Sequence, residues 1–222
     1  MIYTIRRTTA PPALDGNWDA PPWGDAETAA IASFLPEISD HRPRTQVRLL
    51  YDAQALHGIY RVEDRYVRCV QQGFQAPVCR DSCVEFFFRP HVGKGYLNAE
   101  FNCGGSFLIY HVRDWTRVGA GFADYSPLAP ELGRQVGVWH SLPARVEPER
   151  TEPTVWFLQF LLPLGVIEAC VGPLHLQPGT VWTANFYKCG DDTSKPHWAS
   201  WNPVDEKNFH LPRCFGELRF GE

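Results

Sequence analysis

The chain has 222 residues, of which 44% are hydrophobic, 14% aromatic and 21% charged, and its formal net charge is −4. This apolar share is enough to fill a packed core and excludes a largely disordered chain. The arginines are scattered rather than clustered, which excludes the basic surface that nucleic-acid binding requires. No apolar run approaches the roughly 20 residues that cross a bilayer, so we expect no membrane partner either.

The N-terminal segment and the cysteines predict the compartment. The opening residues, MIYTIRRTTAPPALDG, carry charges without the apolar run of a secretory signal, so we expect a cytoplasmic protein. Seven cysteines at irregular spacing are typical of small buried side chains in a reducing environment, not of a disulfide framework. Because no CxxC pair occurs, the sequence gives little support to a structural zinc site, and no metal-ligating residues are assigned.

The first predicted elements are strands, because short apolar runs alternate with Pro, Gly and Asp. TQVRLLYD and ALHGIYRVED predict one hairpin. DSCVEFFFRP and YLNAEFN predict a second hairpin over residues 81–102. SFLIYHVRDW then continues an antiparallel meander.

The second half of the chain repeats this pattern. VGVWHSLPARVE and TVWFLQFLLP predict two strands with EPERTEP between them, and LGVIEACVG predicts a short helix. TVWTANFYKCG predicts a further strand, and a long loop region leads to a last strand at GELRF. Strands dominate without a βαβ rhythm. We therefore predict an all-β protein with one domain over residues 1–222, folded as a two-sheet antiparallel β-sandwich of jelly-roll or immunoglobulin-like type with one or two short helical turns.

The second hairpin carries two glutamates, Glu85 and Glu100, inside apolar strands. Side chains alternate across a strand, so both glutamates lie on the face opposite Phe86 and Phe88. Other polar residues share the glutamate face or the matching face of TVWTANFYKCG: Asn98, Asn102, Asn185 and Tyr187.

Two interpretations of this polar face compete. In the first, it is a solvated surface on which Glu85 pairs with Arg89. In the second, it is a ligand site on a rigid sheet. Amides and carboxylates in a fixed plane supply the donors and acceptors that grip hydroxyl groups, which suits a sugar better than a phosphate or a lipid.

Aromatic residues of the C-terminal region add to the second interpretation. PHWASWNP places Trp198 and Trp201 in a predicted loop, where large apolar side chains are exposed unless they fold back or meet a partner. They either plug the end of the sandwich or form a platform on which a sugar ring stacks. Phe209 follows in the same region.

An ordered series of motifs resembles the family 9 carbohydrate-binding modules, most of all the branch found as free-standing proteins. The motifs span nearly the whole chain: LDGNWDAPPW, VRLLYDAQALHGIYRVED, DSCVEFFFRP, YLNAEFNCGG, TANFYKCG, HWASWNP and FHLPRCFGELRF. The resemblance implies a two-sheet β-sandwich without intrinsic catalysis that recognises sugars or glycan ends. It also implies association with glycan-degrading enzymes.

The resemblance implies particular contacts as well. Family members hold a chain end between two aromatic rings, helped by polar side chains of the adjacent sheet. Glu85 matches the glutamate of the acidic motif, and Asn102 matches the asparagine that closes the next strand. Glu100 stands where a basic sugar-contacting side chain is expected. One ring position falls near Val78 and Cys79, with Phe74 the nearest aromatic residue, and the other falls near Phe209.

Structural calcium, which some family members hold, is a further expectation. The acidic residues in predicted loops are Asp15, Asp19, Asp191 and Asp192, and they do not form an EF-hand. The predicted ligand-binding set is Glu85, Asn98, Glu100, Asn102, Asn185, Tyr187, Trp198, Trp201 and Phe209.

Two other functions remain open at this stage. Glu85 and Glu100 on neighbouring strands could serve as the paired carboxylates of a glycoside hydrolase. A protein-interaction module without a sugar ligand is the other alternative, and its mark would be an exposed apolar patch lacking convergent polar groups.

Overall fold

The strands of the computed structural model, which describes residues 1–35 and 39–222, occupy most of the predicted positions. The first half contains β1 (Ile2–Arg7), β2 (Thr28–Ile31), β3 (Ser33–Phe34), β4 (Arg44–Tyr51), β5 (Ala55–Asp64), β6 (Val67–Cys69), β7 (Cys83–Arg89) and β8 (Tyr96–Asn102). The second half contains β9 (Phe107–Val118), β10 (Gly121–Pro127), β11 (Gly137–His140), β12 (Val146–Arg150), β13 (Thr154–Pro163), β14 (Val181–Cys189), β15 (Trp198–Ser200) and β16 (Gly216–Phe220). Two short helices are α1 (Pro130–Gly133) and α2 (Leu164–Val171).

Two predictions about the elements need correction. The connection EPERTEP contributes to a strand, because β12 reaches Arg150 and pairs with β6 in a separate small sheet. The tail is not only loop, since β15 pairs with the end of β14. No helix in the part of the chain that the structure describes is long and apolar enough to cross a membrane.

The strands form two packed sheets that β1 joins. One sheet has the order β10-β9-β8-β7-β14-β16-β1, and the other continues as β4-β5-β13-β11. Residues Ile2–Ile5 of β1 pair with β16, whereas Arg6 and Arg7 pair with β4. Both pairings are parallel, which departs from the antiparallel arrangement predicted throughout. The predicted β-sandwich is confirmed.

The main core lies between the sheets and is rich in aromatic side chains. Phe86 of β7 and Phe101 of β8 stack against Phe160 of β13, with ring centroids 6.2 and 5.2 Å apart. The Tyr60 hydroxyl donates across the core to the Glu85 carbonyl at 2.8 Å. A second apolar cluster covers the outer face of the same strands and includes Phe87, Tyr187 and Phe209. Strands β7, β8 and β14 are therefore buried on both faces.

A buried lysine, Lys188 of β14, lies at one end of the main core. Its ammonium donates to the Cys189 carbonyl at 2.9 Å and lies 2.6 Å from His197 Nε2. It also lies 3.3 Å from Asp64 Oδ2, and neither side chain of this ion pair is exposed. His41 Nε2 contacts the other oxygen of Asp64 at 2.7 Å. Burial acts to raise the pKa of Asp64, but Lys188 and His41 outweigh it and hold this pKa below its usual range.

Stability is expected to fall as pH decreases from about 6.5 towards 3, with His197 as one cause. Burial, and then the charge of Lys188, lowers the pKa of His197 to about 3, whereas a histidine in an unfolded chain titrates near 6.5. The unfolded chain therefore binds the proton more readily between these values. The free energy of unfolding should drop by up to about 1.4 kcal/mol per pH unit for this group.

Urea denaturation at a series of pH values measures this slope. His197→Gln should make the slope shallower, because Gln keeps a polar contact but does not titrate. The exposed His175 provides the matched control, and His175→Gln should leave the slope unchanged. An equally steep slope in the His197→Gln protein contradicts the assignment.

Candidate functional site

A small cleft opens on the outer face of β7, β8 and β14, and we call it the sheet-face cleft. Its volume is about 130 Å³, and it is lined by Cys79, Glu85, Glu100, Arg117, Cys189, Asp191, Trp198, Phe209 and His210. A larger depression of about 560 Å³ lies between Arg7 and Glu168 and contains none of the predicted ligand-binding residues. The sheet-face cleft contains four of them, so we regard it as the candidate site.

Glu85 and Glu100 form the floor of the sheet-face cleft. They are direct partners in the antiparallel pairing of β7 with β8, which places their Cβ atoms about 5 Å apart. Glu85 is 2% exposed and Glu100 is 6% exposed. Asn98 Nδ2 donates to Glu100 Oε1 at 2.7 Å, and the Cys189 thiol donates to Glu85 Oε1 at 3.1 Å. The predicted alternative of a solvated face is wrong, and Arg89 contacts Thr183 instead.

The electrostatics of this carboxyl pair follow from its burial. Burial, and then the neighbouring Glu100, raises the pKa of Glu85 well above its usual range. Burial also raises the pKa of Glu100 to about 7, against the lowering effect of the Asn98 amide. Two adjacent buried carboxyls are hard to ionise together. Around neutral pH the pair therefore keeps a proton. The floor then offers a carboxyl O–H as a donor together with carboxyl oxygens as acceptors.

Trp198 and Phe209 form an aromatic wall beside this floor. Their ring centroids lie 4.6 Å apart, and the half-buried indole of Trp198 donates to Asp191 Oδ1 at 2.6 Å. Tyr187 lies behind the wall, where its ring stacks on Phe209 at 4.0 Å and its hydroxyl donates to the Phe209 carbonyl. Because Trp198 and Phe209 contact each other, no sugar ring fits between them. The two-ring clamp implied by the resemblance is therefore not formed by this pair.

Five residues of the cleft lining were missed as ligand contacts by the sequence reasoning: Cys79, Arg117, Cys189, Asp191 and His210. Arg117 comes from the exposed hairpin of β9 and β10, and His210 directly follows Phe209. Asp191, considered only for calcium, holds the Trp198 indole. Arg117 supplies a basic group that the resemblance placed at position 100. The missing basic side chain at position 100 was the one sequence signal for such a group, but it did not say which segment of the chain would provide it.

The three asparagines of the predicted set serve the protein itself. Asn98 holds Glu100 and accepts from the Tyr110 amide. Asn102 donates to Gln71 and Asp81 and accepts from two amides of the following turn. Asn185 ties the loop after β15 to the chain before β16, through the carbonyls of residues 202 and 214. None of the three lines the sheet-face cleft, so their predicted ligand contacts are replaced by internal ones.

Trp201 belongs to the main core, not to the cleft. It is 6% exposed, its ring lies 5.4 Å from Phe186, and it meets Tyr3 edge-on at 6.4 Å. This placement corrects the prediction of a tryptophan platform and supports the plugging alternative for Trp201 alone. Trp198 begins the short strand β15 and Trp201 directly follows its last residue. Because side chains alternate along a strand, two positions three residues apart point to opposite faces.

In the part of the chain that the structure describes, the four aspartates considered for calcium are not brought together with further acidic, histidine or cysteine ligands. Within residues 1–35 and 39–222, none of the four joins two further His, Cys, Asp or Glu ligand atoms close enough for one ion. Asp15 instead accepts from the Asn17 amide at 3.0 Å, and Asp191 accepts from the Trp198 indole. Calcium prefers six to eight oxygen ligands, which include backbone carbonyls, and structural calcium stays a prediction.

Fold and cleft together define a β-sandwich protein with a compact cleft of carboxyl and aromatic groups on one sheet face. The sequence pattern of carbohydrate-binding family 9 matches residues 24–220, so the chain belongs to this family. The resemblance derived from the motifs is confirmed. No curated protein sequence matches the chain.

Solved structures of similar proteins support the same fold. A candidate carbohydrate-binding protein from Bacteroides uniformis has 26% identity and a TM-score of 0.84, with 99% of this chain and 98% of that chain covered. A family 9 module from Caldicellulosiruptor kristjanssonii, solved with cellotriose, has 14% identity and a TM-score of 0.64, with 100% and 94% covered. A second structure of a family 9 module from that organism, solved with glucose, has 14% identity and a TM-score of 0.65, with 99% and 96% covered.

Proposed function

We propose that this protein binds a carbohydrate in the sheet-face cleft. The observation that carries the proposal is the joining of an aromatic wall, Trp198 and Phe209, to a floor of two buried carboxyl groups. Membership of family 9 supports it, as do the cellotriose and glucose bound by similar folds. Sugars present both apolar C–H faces and hydroxyl groups, and this cleft matches both kinds of surface.

Each part of the cleft has a role in this proposal. Trp198, fixed by Asp191, stacks on the C–H face of one sugar ring. Glu85 and Glu100 exchange hydrogen bonds with its hydroxyl groups, and Arg117 donates from the rim. The small volume, about 130 Å³, favours one ring or a chain end over a long stretch of polysaccharide.

Trp198→Ala is expected to weaken sugar binding at least tenfold, about 1.4 kcal/mol, because it removes the stacking surface. Calorimetric titration with a panel of mono- and oligosaccharides measures the affinity. Trp115→Ala is the matched control, since Trp115 is 39% exposed and lies outside the cleft lining. The absence of binding to every sugar by a well-folded sample would overturn the proposal.

An activity assay on the same sugars distinguishes a glycoside hydrolase from a binding protein without catalysis. A retaining glycosidase places its two carboxyl groups on either side of the scissile bond. Glu85 and Glu100 are direct cross-strand partners, and burial raises the pKa of both. The nucleophile of a retaining enzyme must be ionised, so these raised pKa values favour binding over hydrolysis. Turnover that is abolished by both Glu85→Gln and Glu100→Gln would support an enzyme. Association with glycan-degrading enzymes stays a prediction and is addressed by pull-down with such enzymes.

A further inference from the structure

A group of three potential metal ligands lies at the inner end of the sheet-face cleft. Cys83 of β7 and Cys189 of β14 are direct partners across the two strands, and Glu85 lies two residues along β7. Cys189 Sγ is 3.1 Å from Glu85 Oε1, and Cys83 Sγ is 4.0 Å from the same oxygen. The three ligand atoms all lie within 4.8 Å of one another.

We propose that Cys83, Glu85 and Cys189 form a binding site for a thiophilic metal ion of the zinc class. Zinc binds sulfur at about 2.3 Å and carboxylate oxygen at about 2.0–2.2 Å in a tetrahedron. Ligand atoms of such a tetrahedron are separated by about 3.5 to 3.8 Å, and the two observed sulfur–oxygen distances bracket this range. The ion would therefore need only small adjustments of the side chains. Two thiolates select zinc, cadmium or copper(I) over calcium and magnesium.

The site is rigid, and one side of it faces the cleft. All three residues belong to central strands and are at most 2% exposed, so their backbone positions are held by ladder hydrogen bonds and by packing on both faces. Glu85 and Cys189 also line the sheet-face cleft. A fourth coordination position is thus directed towards the cleft, where water or a ligand can occupy it. Cys79, a further thiol of the cleft lining, lies on that side.

The charges around the site are compatible with a cation. Glu100 faces Glu85 across the strand pair and adds negative charge beside the proposed ion. Burial raises the pKa of Cys83 to about 12, so the thiols keep their protons until a metal displaces them. Without a metal, the cross-strand pairing and the hydrogen bond from Cys189 to Glu85 hold the three groups together as ordinary buried side chains, and metal titration distinguishes the two states.

The second group of converging ligands, His41, Asp64 and His197, carries no such proposal. The ammonium of Lys188 already lies between Asp64 and His197 and contacts both. A metal ion there would have to displace a fully buried positive charge. Within residues 1–35 and 39–222, no ammonium or guanidinium group donates to the side chain of Cys83, Glu85 or Cys189.

Titration of the reduced full chain with Cd²⁺ or Zn²⁺ alone, without sugar, tests the proposal. We expect one ion per chain by equilibrium dialysis, and a near-ultraviolet thiolate-to-metal absorption band with Cd²⁺. Cys83→Ser and Cys189→Ser should each weaken binding at least tenfold, and Cys170→Ser, a half-buried cysteine on α2, should not. Wild-type protein that binds no stoichiometric ion, or a Cys83→Ser protein that binds as tightly as wild type, would overturn it.

Two further measurements keep the test decisive. Glu85→Gln retains the volume of the side chain and should weaken metal binding even if a cysteine variant does not fold. Mass spectrometry after thiol alkylation should show Cys83 and Cys189 as free thiols in the reduced protein, and a disulfide that persists between them would contradict the site. A reduced, folded protein in which these thiols react freely in the presence of excess Zn²⁺ also contradicts the site. None of these results depends on sugar binding.

Discussion

Lys188→Met is expected to lower the free energy of unfolding by about 3–5 kcal/mol, because it leaves the buried carboxylate of Asp64 without its principal positive partner. Methionine nearly preserves the volume of lysine, so the loss reports charge and not packing. Both side chains of the ion pair are inaccessible to water, and water therefore cannot replace the lost contact. Urea denaturation monitored by tryptophan fluorescence measures the change.

A double variant separates this ion pair from other effects of the substitution. Adding Asp64→Asn to Lys188→Met removes the uncompensated charge and should restore part of the stability. Lys195→Met is the matched control, since Lys195 pairs with Asp40 at the surface and exposed pairs contribute at most about 1 kcal/mol. A Lys188→Met protein within 1 kcal/mol of wild type would show that Asp64 is compensated by another group.

Trp201→Ala is expected to lower the free energy of unfolding by about 3–5 kcal/mol, whereas Trp198→Ala should cost about 1 kcal/mol or less. Trp201 fills the main core against Tyr3 and Phe186, so its removal leaves a large cavity. Trp198 borders an open cleft that water can enter. Denaturation and sugar titration of both variants measure these effects. We expect Trp201→Ala to lose mainly stability and Trp198→Ala to lose mainly sugar affinity.

The outcome distinguishes a core tryptophan from a ligand-contacting one. A Trp201→Ala protein that remains stable but loses sugar affinity would show that Trp201 contacts the ligand. A Trp198→Ala protein that loses several kcal/mol of stability would make Trp198 a part of the core. Either result contradicts the division of the two tryptophans between the faces of the sheet.

The strand pattern around Glu85 and Glu100 could be predicted from the sequence with some accuracy. Alternation placed both on the face opposite Phe86 and Phe88, and the structure makes them direct partners. The sequence could not predict which segment of the chain covers the face that carries the two glutamates. Phe209 packs over it from a segment more than 100 residues away, which converts a supposed surface into a buried cleft floor.

The group of metal ligands also depends on contacts between distant strands that the sequence does not reveal. The cysteine nearest to Cys83 in the sequence is Cys79, four residues earlier, whereas its partner Cys189 lies on a strand that is distant in sequence. Only the neighbouring positions of β7 and β14 in the sheet bring the two sulfurs together. Arg117 likewise enters the cleft from the end of β9, and His210 enters it from the loop before β16, and no local pattern specifies either approach.

The sequence by itself determined the strand-rich fold, the family and the face on which each strand residue lies, because alternation and turn chemistry act between near neighbours in the chain. Only the tertiary structure decided which polar residues are buried contacts and which remain open to a ligand. It placed Trp201 in the core and Trp198 at the cleft, and it buried Lys188 beside Asp64. Burial is a property of contacts between distant segments, and the same segments set the charge and the shape of the site.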